Sequence, residues 1–288
     1  MPDSISASIP AQAEVAIENT GNFCLRFVER LAFIGLFLLI IVAIGAGRLP
    51  LADPLGLDLL RILAPPSASH WLGTDELGRD LLSRLAFATQ SSLLITAGGT
   101  AFALLLAMLF GMTAGYLGGW WERLIGLVID AIWTVPFIVL LLLILAVTGI
   151  STLSLILCLG GINWVTAARV LRTETAALRR RDFIRTARSL GASRSSILVR
   201  GLLPNLVPTL LVLGGYGAAE ILTVETGLAF LGLSLPAPAP TWGGMLAEGL
   251  SYFASDWWLP LLPALAITLT LLIFQIMARA CERWAKRG

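Results

Sequence analysis

One lysine, one histidine and three cysteines are all that this 288-residue chain holds of residue types that carry much of protein chemistry. Each scarcity closes off a class. A phosphate-binding P-loop needs a lysine directly after its last glycine, to reach the β- and γ-phosphates. The one lysine, Lys286, follows Ala285, so no such loop can form. The lone His70 leaves little scope for serine–histidine chemistry or a multi-histidine metal cage, and is expected as a loop residue. Cys24, Cys158 and Cys281 are scattered without a C-x-x-C spacing, so neither a structural disulfide nor a zinc site is expected. Charge is scarce too. Charged residues make up 13% of the chain and apolar ones 57%, against about 25% charge in soluble domains. Segments this apolar lack the polar face of a soluble helix. The expected class is an all-α polytopic membrane protein with membrane lipid around it and no nucleic acid partner.

A spanning helix needs about 20 mostly apolar residues. The first candidate is 26–47, with Arg26 and Arg30 at its inner end. A proline-rich outer loop, 48–87, follows. The remaining 88–288 holds five more spans: Ser91–Gly115, Leu124–Val147, Thr152–Val170, Leu206–Leu222 (running on toward Phe230) and Leu259–Met277. Residues 1–25 are acidic and polar and lack the basic start of a secretory signal; they are expected as a disordered cytoplasmic tail. Six spans put both termini on one side. With that side cytoplasmic, sixteen Lys and Arg fall inside and four, Arg48, Arg61, Arg79 and Arg84, fall outside, the asymmetry the positive-inside rule requires.

The basic segment 179–205 dominates this count. Between Arg169 and Arg200 stand nine arginines and two acids, Glu174 and Asp182. Asp182 is expected to N-cap a short helix, Phe183–Leu190, that begins just after Arg181. Gly191 sits where a left-handed C-cap belongs. Ser193 is expected to cap a second short helix through Ile197 and Leu198, which Pro204 stops. Phe183, Ala187 and Leu190 share one face, a shape suited to docking in a groove. A solvated loop that merely sets topology is the plainer alternative.

Three other stretches stand out. His70–Leu85 contains Gly73, Thr74, Asp75, Gly78, Arg79 and Asp80; Thr74 is expected to cap a helix starting at Asp75. Gly115–Pro136 places Asp130 inside the third span and Pro136 where it would kink that span. An intramembrane acid is a functional candidate by default, although pairing with a neighbouring arginine would make Asp130 structural. Ile221–Glu248 carries Glu225, then a glycine break, a proline link and Trp242–Gly243. It reads as a segment that bends back at the outer face, a candidate outer gate; Glu225 within it and Glu220 just before it are either pathway or structural acids.

The basic segment resembles the cytoplasmic coupling loop of ABC importer permeases. Its pattern is Glu-Ala-Ala, three residues, Gly, nine residues, Ile, one residue, Leu-Pro; Ala187, Gly191, Leu203 and Pro204 are in register, while Arg185, Thr186 and Gly201 depart from it. LGTDELGRD, the Gly-Tyr-Leu-Gly-Gly turn with Asp130 and Pro136, and the Glu225–Gly243 run resemble the C-type permeases of the dipeptide/oligopeptide/nickel importers. The resemblance runs from Trp71 to Glu248. It implies the type I importer permease fold with six transmembrane helices in a bacterial inner membrane. It also implies a non-enzymatic subunit for peptides, nickel or a metal chelate. The implied partners are a second, different permease, two cytoplasmic ATPases that bind the ATP and Mg, and an extracytoplasmic solute-binding protein; the chain itself would hold no cofactor. A stand-alone secondary transporter or membrane enzyme working through Asp130 and Glu220 is the rival class.

Overall fold

The computed structural model describes residues 11–48, 50–236 and 238–285, with side chains from residue 27 onward. Among these residues the chain is all helical and has no strand. Its helices are α1 (Ala11–Gly45), α2 (Leu81–Leu106), α3 (Thr113–Leu117), α4 (Gly119–Thr134), α5 (Phe137–Thr148), α6 (Thr152–Leu178), α7 (Asp182–Ser189), α8 (Arg194–Ser196), α9 (Leu203–Phe230), α10 (Trp242–Leu250) and α11 (Trp258–Ala285). Two π-helical turns, Ala107–Met112 and Ile197–Leu202, join α2 to α3 and α8 to α9 without a break.

Five helical segments are long and apolar enough to cross a membrane: Phe27–Gly45, Leu81–Leu117, Thr152–Leu178, Arg194–Phe230 and Trp258–Ala285. The pair α4 and α5, bent by 91°, makes the sixth when counted as one broken span. The expected kink is thus a sharp turn. Pro136 lacks an N–H, and its ring keeps the preceding residue out of the helical region. Val135 accordingly takes φ −86° and ψ 131°, and Pro136 takes ψ 123°.

The bundle is built on small residues, as expected where lipid supplies no hydrophobic drive between helices. Helix α6 runs against α2 so closely that a Cβ on Gly160 would lie 2.4 Å from the Gly99 carbonyl oxygen. One on Gly111 would lie 2.6 Å from that of Ala168. Helix α9 packs on α2 and α11, and α1 covers α11 and α2. Large apolar side chains point outward, Phe33, Phe37, Ile41 and Ile44 of α1 among them, as a lipid-facing surface does.

Several boundaries differ from expectation. Among the described residues the backbone is already helical from Ala11 onward, ahead of Arg26, so 11–25 is helix and not the expected disordered tail; residues 1–10 lie outside the described ones. The stretch from Ala11 to Thr20 is rich in Ala, Glu and Gln, all good helix formers. Helix α2 takes in residues 81–87, previously given to the outer loop, and α11 absorbs the basic tail through Ala285. The largest difference is at Pro204. It does not end the second coupling helix: α8 continues through the π-turn into α9, making one helix of 37 residues. Pro204 brings no N–H to the ladder of this continuous helix, and its place directly after the π-turn is where the ladder already departs from the i→i−4 pattern. The wider π-turn before it removes the ring's clash with the preceding turn.

Candidate functional site

Two assemblies of polar and aromatic residues lie at opposite ends of the bundle. The loop end carries α7, α8 and the C-terminus of α6. The far end carries residues 50–80, α10 and the C-terminus of α9.

At the loop end, α7 starts at Asp182 with Arg181 as its N-cap residue, in extended conformation and without a capping side chain. Asp182 is therefore the first helical residue and not the expected cap; an acid there still favours the helix dipole. Gly191, at φ +82°, closes α7. The Ala192 N–H donates to Ala187 O and the Gly191 N–H to Arg188 O, both at 3.0 Å, which is the Schellman pattern. Ser193 caps α8, its hydroxyl accepting from Ser196 N at 3.2 Å.

The loop is glued down by a core that the sequence did not reveal. Tyr116, Ile184, Ile197 and Leu202 are buried together, with Leu178 and Ala192 against them. Gly201, at the isoleucine position of the importer pattern, leaves room for Ile184: a Cβ there would be 3.1 Å from Ile184 Cδ1. Arg179 Nη1 donates to Tyr116 O at 2.8 Å. With Ile184 turned inward, the face of Phe183, Ala187 and Leu190 turns outward. Phe183 is 47% and Leu190 83% exposed, and Ala187 is half-buried. Leu203 packs half-buried on the main core, and Pro204 is exposed.

At the far end, the Gly73–Asp80 motif is a loop, not the expected helix from Asp75. Gly73 and Gly78 take φ +82° and +72°, and a Cβ on Gly78 would lie 1.9 Å from Asp58 O. Thr74 caps nothing: its hydroxyl accepts from Ala64 N at 2.9 Å and donates to Arg61 O. Asp75 accepts from the N–H groups of Leu77 and Arg79, each at 2.9 Å. The helix start belongs to Asp80, which caps α2 through Ser83 N at 2.8 Å and meets His70 Nδ1 at 2.9 Å.

These turns bury a charge cluster. Asp75 bonds Arg79 Nε at 2.6 Å and also Arg84. Glu248 of α10 reaches Arg84 Nη1 at 2.8 Å and Arg79 at 3.6 Å. Glu76 lies 3.5 Å from Arg79. Burial, then the charges of Glu248 and Asp75, push the Glu76 carboxyl above its ordinary range. Arg79, Arg84 and Glu248 line a cavity of about 410 Å³ under the Pro236–Pro240 link. The Arg84–Glu248 pair was invisible in the sequence, since its members are far apart along the chain.

The four acid and proline candidates do not form one site. Asp130 pairs with Arg169 at 3.0 Å, and that guanidinium lies over the Trp133 ring at 4.3 Å. Pro136 is the α4–α5 corner. Glu220 is exposed on α9, whereas Glu225 is fully buried, beside Ser234 at 3.5 Å. Near Glu225, α10 folds back: Gly232 at φ +77° ends α9, and the backbone N–H of the buried Trp242 donates to Ser92 Oγ at 3.3 Å. At the loop end, a groove of about 690 Å³ between α6, α9 and α11 is lined by Glu174, Asn205, Tyr216 and Glu282.

An all-helical bundle with a folded, glycine-hinged basic loop and an outward apolar face is the architecture of a type I importer permease. Residues 107–287 match the family described as binding-protein-dependent transport system inner membrane component, and the chain belongs to that family. It is a multi-pass inner-membrane permease component of an ABC importer that works with other subunits. Among its relatives are the oligopeptide transport system permease protein OppC of Mycobacterium bovis (34% identical; 85% of this chain, 87% of the relative) and the probable D,D-dipeptide transport system permease protein DdpC of Escherichia coli (32%; 83% and 80%). The glutathione transport system permease protein GsiD of Pectobacterium atrosepticum is 32% identical over 84% of this chain and 82% of its own length.

Proposed function

We propose that this chain is one of two different permease subunits that together form a path for short peptides, driven by two ATPases on the cytoplasmic side and fed by an extracytoplasmic solute-binding protein. The observation that carries this reading is the outward face of Phe183 and Leu190 on a folded helix–glycine–helix loop. A loop serving only to set topology has no need of a buried core beneath it or of two exposed apolar side chains above. The groove that this face fits belongs to an ATPase, whose subunits hold the ATP and Mg. The loop end faces the cytoplasm together with both termini, as the sixteen-to-four distribution of Lys and Arg supports.

Peptide is the favoured cargo because the relatives' names carry oligopeptides, a dipeptide and glutathione, all peptides; the nickel and metal-chelate branches have no such support. The pairing of Asp130 with Arg169 at 3.0 Å favours the structural role for this acid over that of a pathway acid in a stand-alone carrier. In vesicles, labelled dipeptide should enter only when both permeases, both ATPases, the binding protein and ATP are present. Uptake by this chain alone, or ATP hydrolysis by it, would overturn the proposal; uptake of nickel but not peptide would overturn the cargo alone.

A further inference from the structure

A second cavity, of about 630 Å³, opens at the loop end between the C-terminus of α3 and the α7–α8 turn. Its walls include Tyr116, Leu117, Arg179, Arg188, Arg194 and Ile197, and no acid lines it. None of the three arginines makes an ion pair among the described residues. Arg179 is tied to Tyr116 O at 2.8 Å. Arg188 stands over the Tyr116 ring at 5.8 Å, with its Nη2 3.5 Å from the Tyr116 hydroxyl. Arg194 is exposed. Tyr116 is buried at the base of the loop core, so the aromatic floor and two of the guanidinium groups are held in place before any ligand arrives. Three convergent, unneutralised guanidinium groups are a seat for a phosphate, whose oxygens they match two at a time.

The depth of the cavity selects the source of that phosphate. Directly after Leu117, the first turn of α4 presents Trp120, 71% exposed, with Trp121 beside it at 6.4 Å between ring centroids. Exposed tryptophans of this kind mark the membrane–water boundary. The neighbouring arginines thus stand at headgroup level, where basic pockets between helices hold acidic lipid headgroups.

We propose that the cavity of Tyr116, Arg179, Arg188 and Arg194 binds the phosphate of an acidic phospholipid, seating one lipid headgroup between the membrane and the coupling helices. This rests on the permease reading only in placing the loop end at the cytoplasmic membrane surface; lipid retention is measured independently of transport, so the two can fail separately.

The test uses the full-length chain, purified in detergent, stripped of lipid, and offered phosphatidylglycerol or phosphatidylcholine before native mass spectrometry. Retention of phosphatidylglycerol over phosphatidylcholine is expected. In the Arg188→Ala/Arg194→Ala double variant that retention should fall on the order of thirtyfold, as loss of two headgroup contacts predicts. Both residues are exposed, so the fold should survive. Arg200→Ala, exposed on the same basic loop but outside the cavity, should retain lipid like the parent. Equal retention by the double variant, or equal loss in Arg200→Ala, would overturn the site. Displacement of the lipid by excess inorganic phosphate would make the ligand a soluble phosphate instead. Expulsion of the lipid when the ATPase subunits assemble would make the cavity a protein seat; either result ends the lipid proposal.

Discussion

Replacing Gly191 with valine tests whether the basic loop acts through its shape. At φ +82°, nothing lies within 4 Å of where a Cβ would sit. The whole penalty is therefore backbone strain, about 1–2 kcal/mol for an L-residue in the left-handed region and more when it is β-branched. At 1.4 kcal/mol per factor of ten, this shifts the loop away from its native turn roughly five- to thirty-fold. The Schellman bonds at Ala187 and Arg188 should be the first to go, and with them the angle between α7 and α8. Insertion in the membrane should be unaffected, because the packed spans do not touch this position. At matched expression, Gly191→Val should lose most solute uptake and most ATPase co-purification. Gly191→Asn, which tolerates positive φ, should retain most of both. Arg185→Ala should have little effect, since its partner is the exposed Asp182 at 3.8 Å. Normal uptake by Gly191→Val, together with failure of Arg185→Ala, would show that the loop works by charge and refute the argument from shape.

Three further outcomes are expected. Arg84→Met takes one of two guanidinium partners from the buried Asp75 and the half-buried Glu248, leaving Arg79 beside both, and should cost about 1–3 kcal/mol, read as a lower unfolding midpoint in detergent; adding Glu248→Gln should recover part of the loss. Because Glu76 has its pKa raised in the folded chain, its ionisation destabilises the fold. The penalty is absent below its ordinary value of 4.5 and grows as pH rises through the folded pKa. Glu76→Gln should therefore raise the unfolding midpoint at pH 7 and leave it unchanged in acid; a gain at low pH alone would contradict this sign. Single cysteines at exposed Ser69 and Ser251 should react with an impermeant reagent from outside the cell, and one at Ser195 only from inside; external labelling at position 195 would invert the orientation.

What could be seen in the chain beforehand was what nearby residues decide. Apolar length located the spans, and Gly191 after Leu190, followed by Ser193, located the loop's turn and its second cap. Remote contacts were hidden. Nothing near Tyr116 announces that it floors the coupling loop, and Glu248 gives no hint of Arg84. Two local signals misled because tertiary context competed with them. Thr74 looked like a helix cap, yet Asp58 O packs against Gly78 and holds that stretch in a turn, leaving the cap to Asp80. Pro204 looked like a stop, yet a π-turn absorbs it.

That absorbed proline has a mechanical consequence. From Arg194 to Phe230 the helix runs unbroken for 37 residues. At 1.5 Å per residue it is a rod about 55 Å long, well beyond a hydrocarbon core of about 30 Å. One end is the second coupling helix; the other stands where Glu225, Ser234 and Trp242 knit α9 to the folded-back α10. Pivoted near its middle, such a rod swings each tip by about 5 Å for a tilt of about 10°. Small displacements at the loop end can therefore be felt at the far end of the bundle through the helix itself.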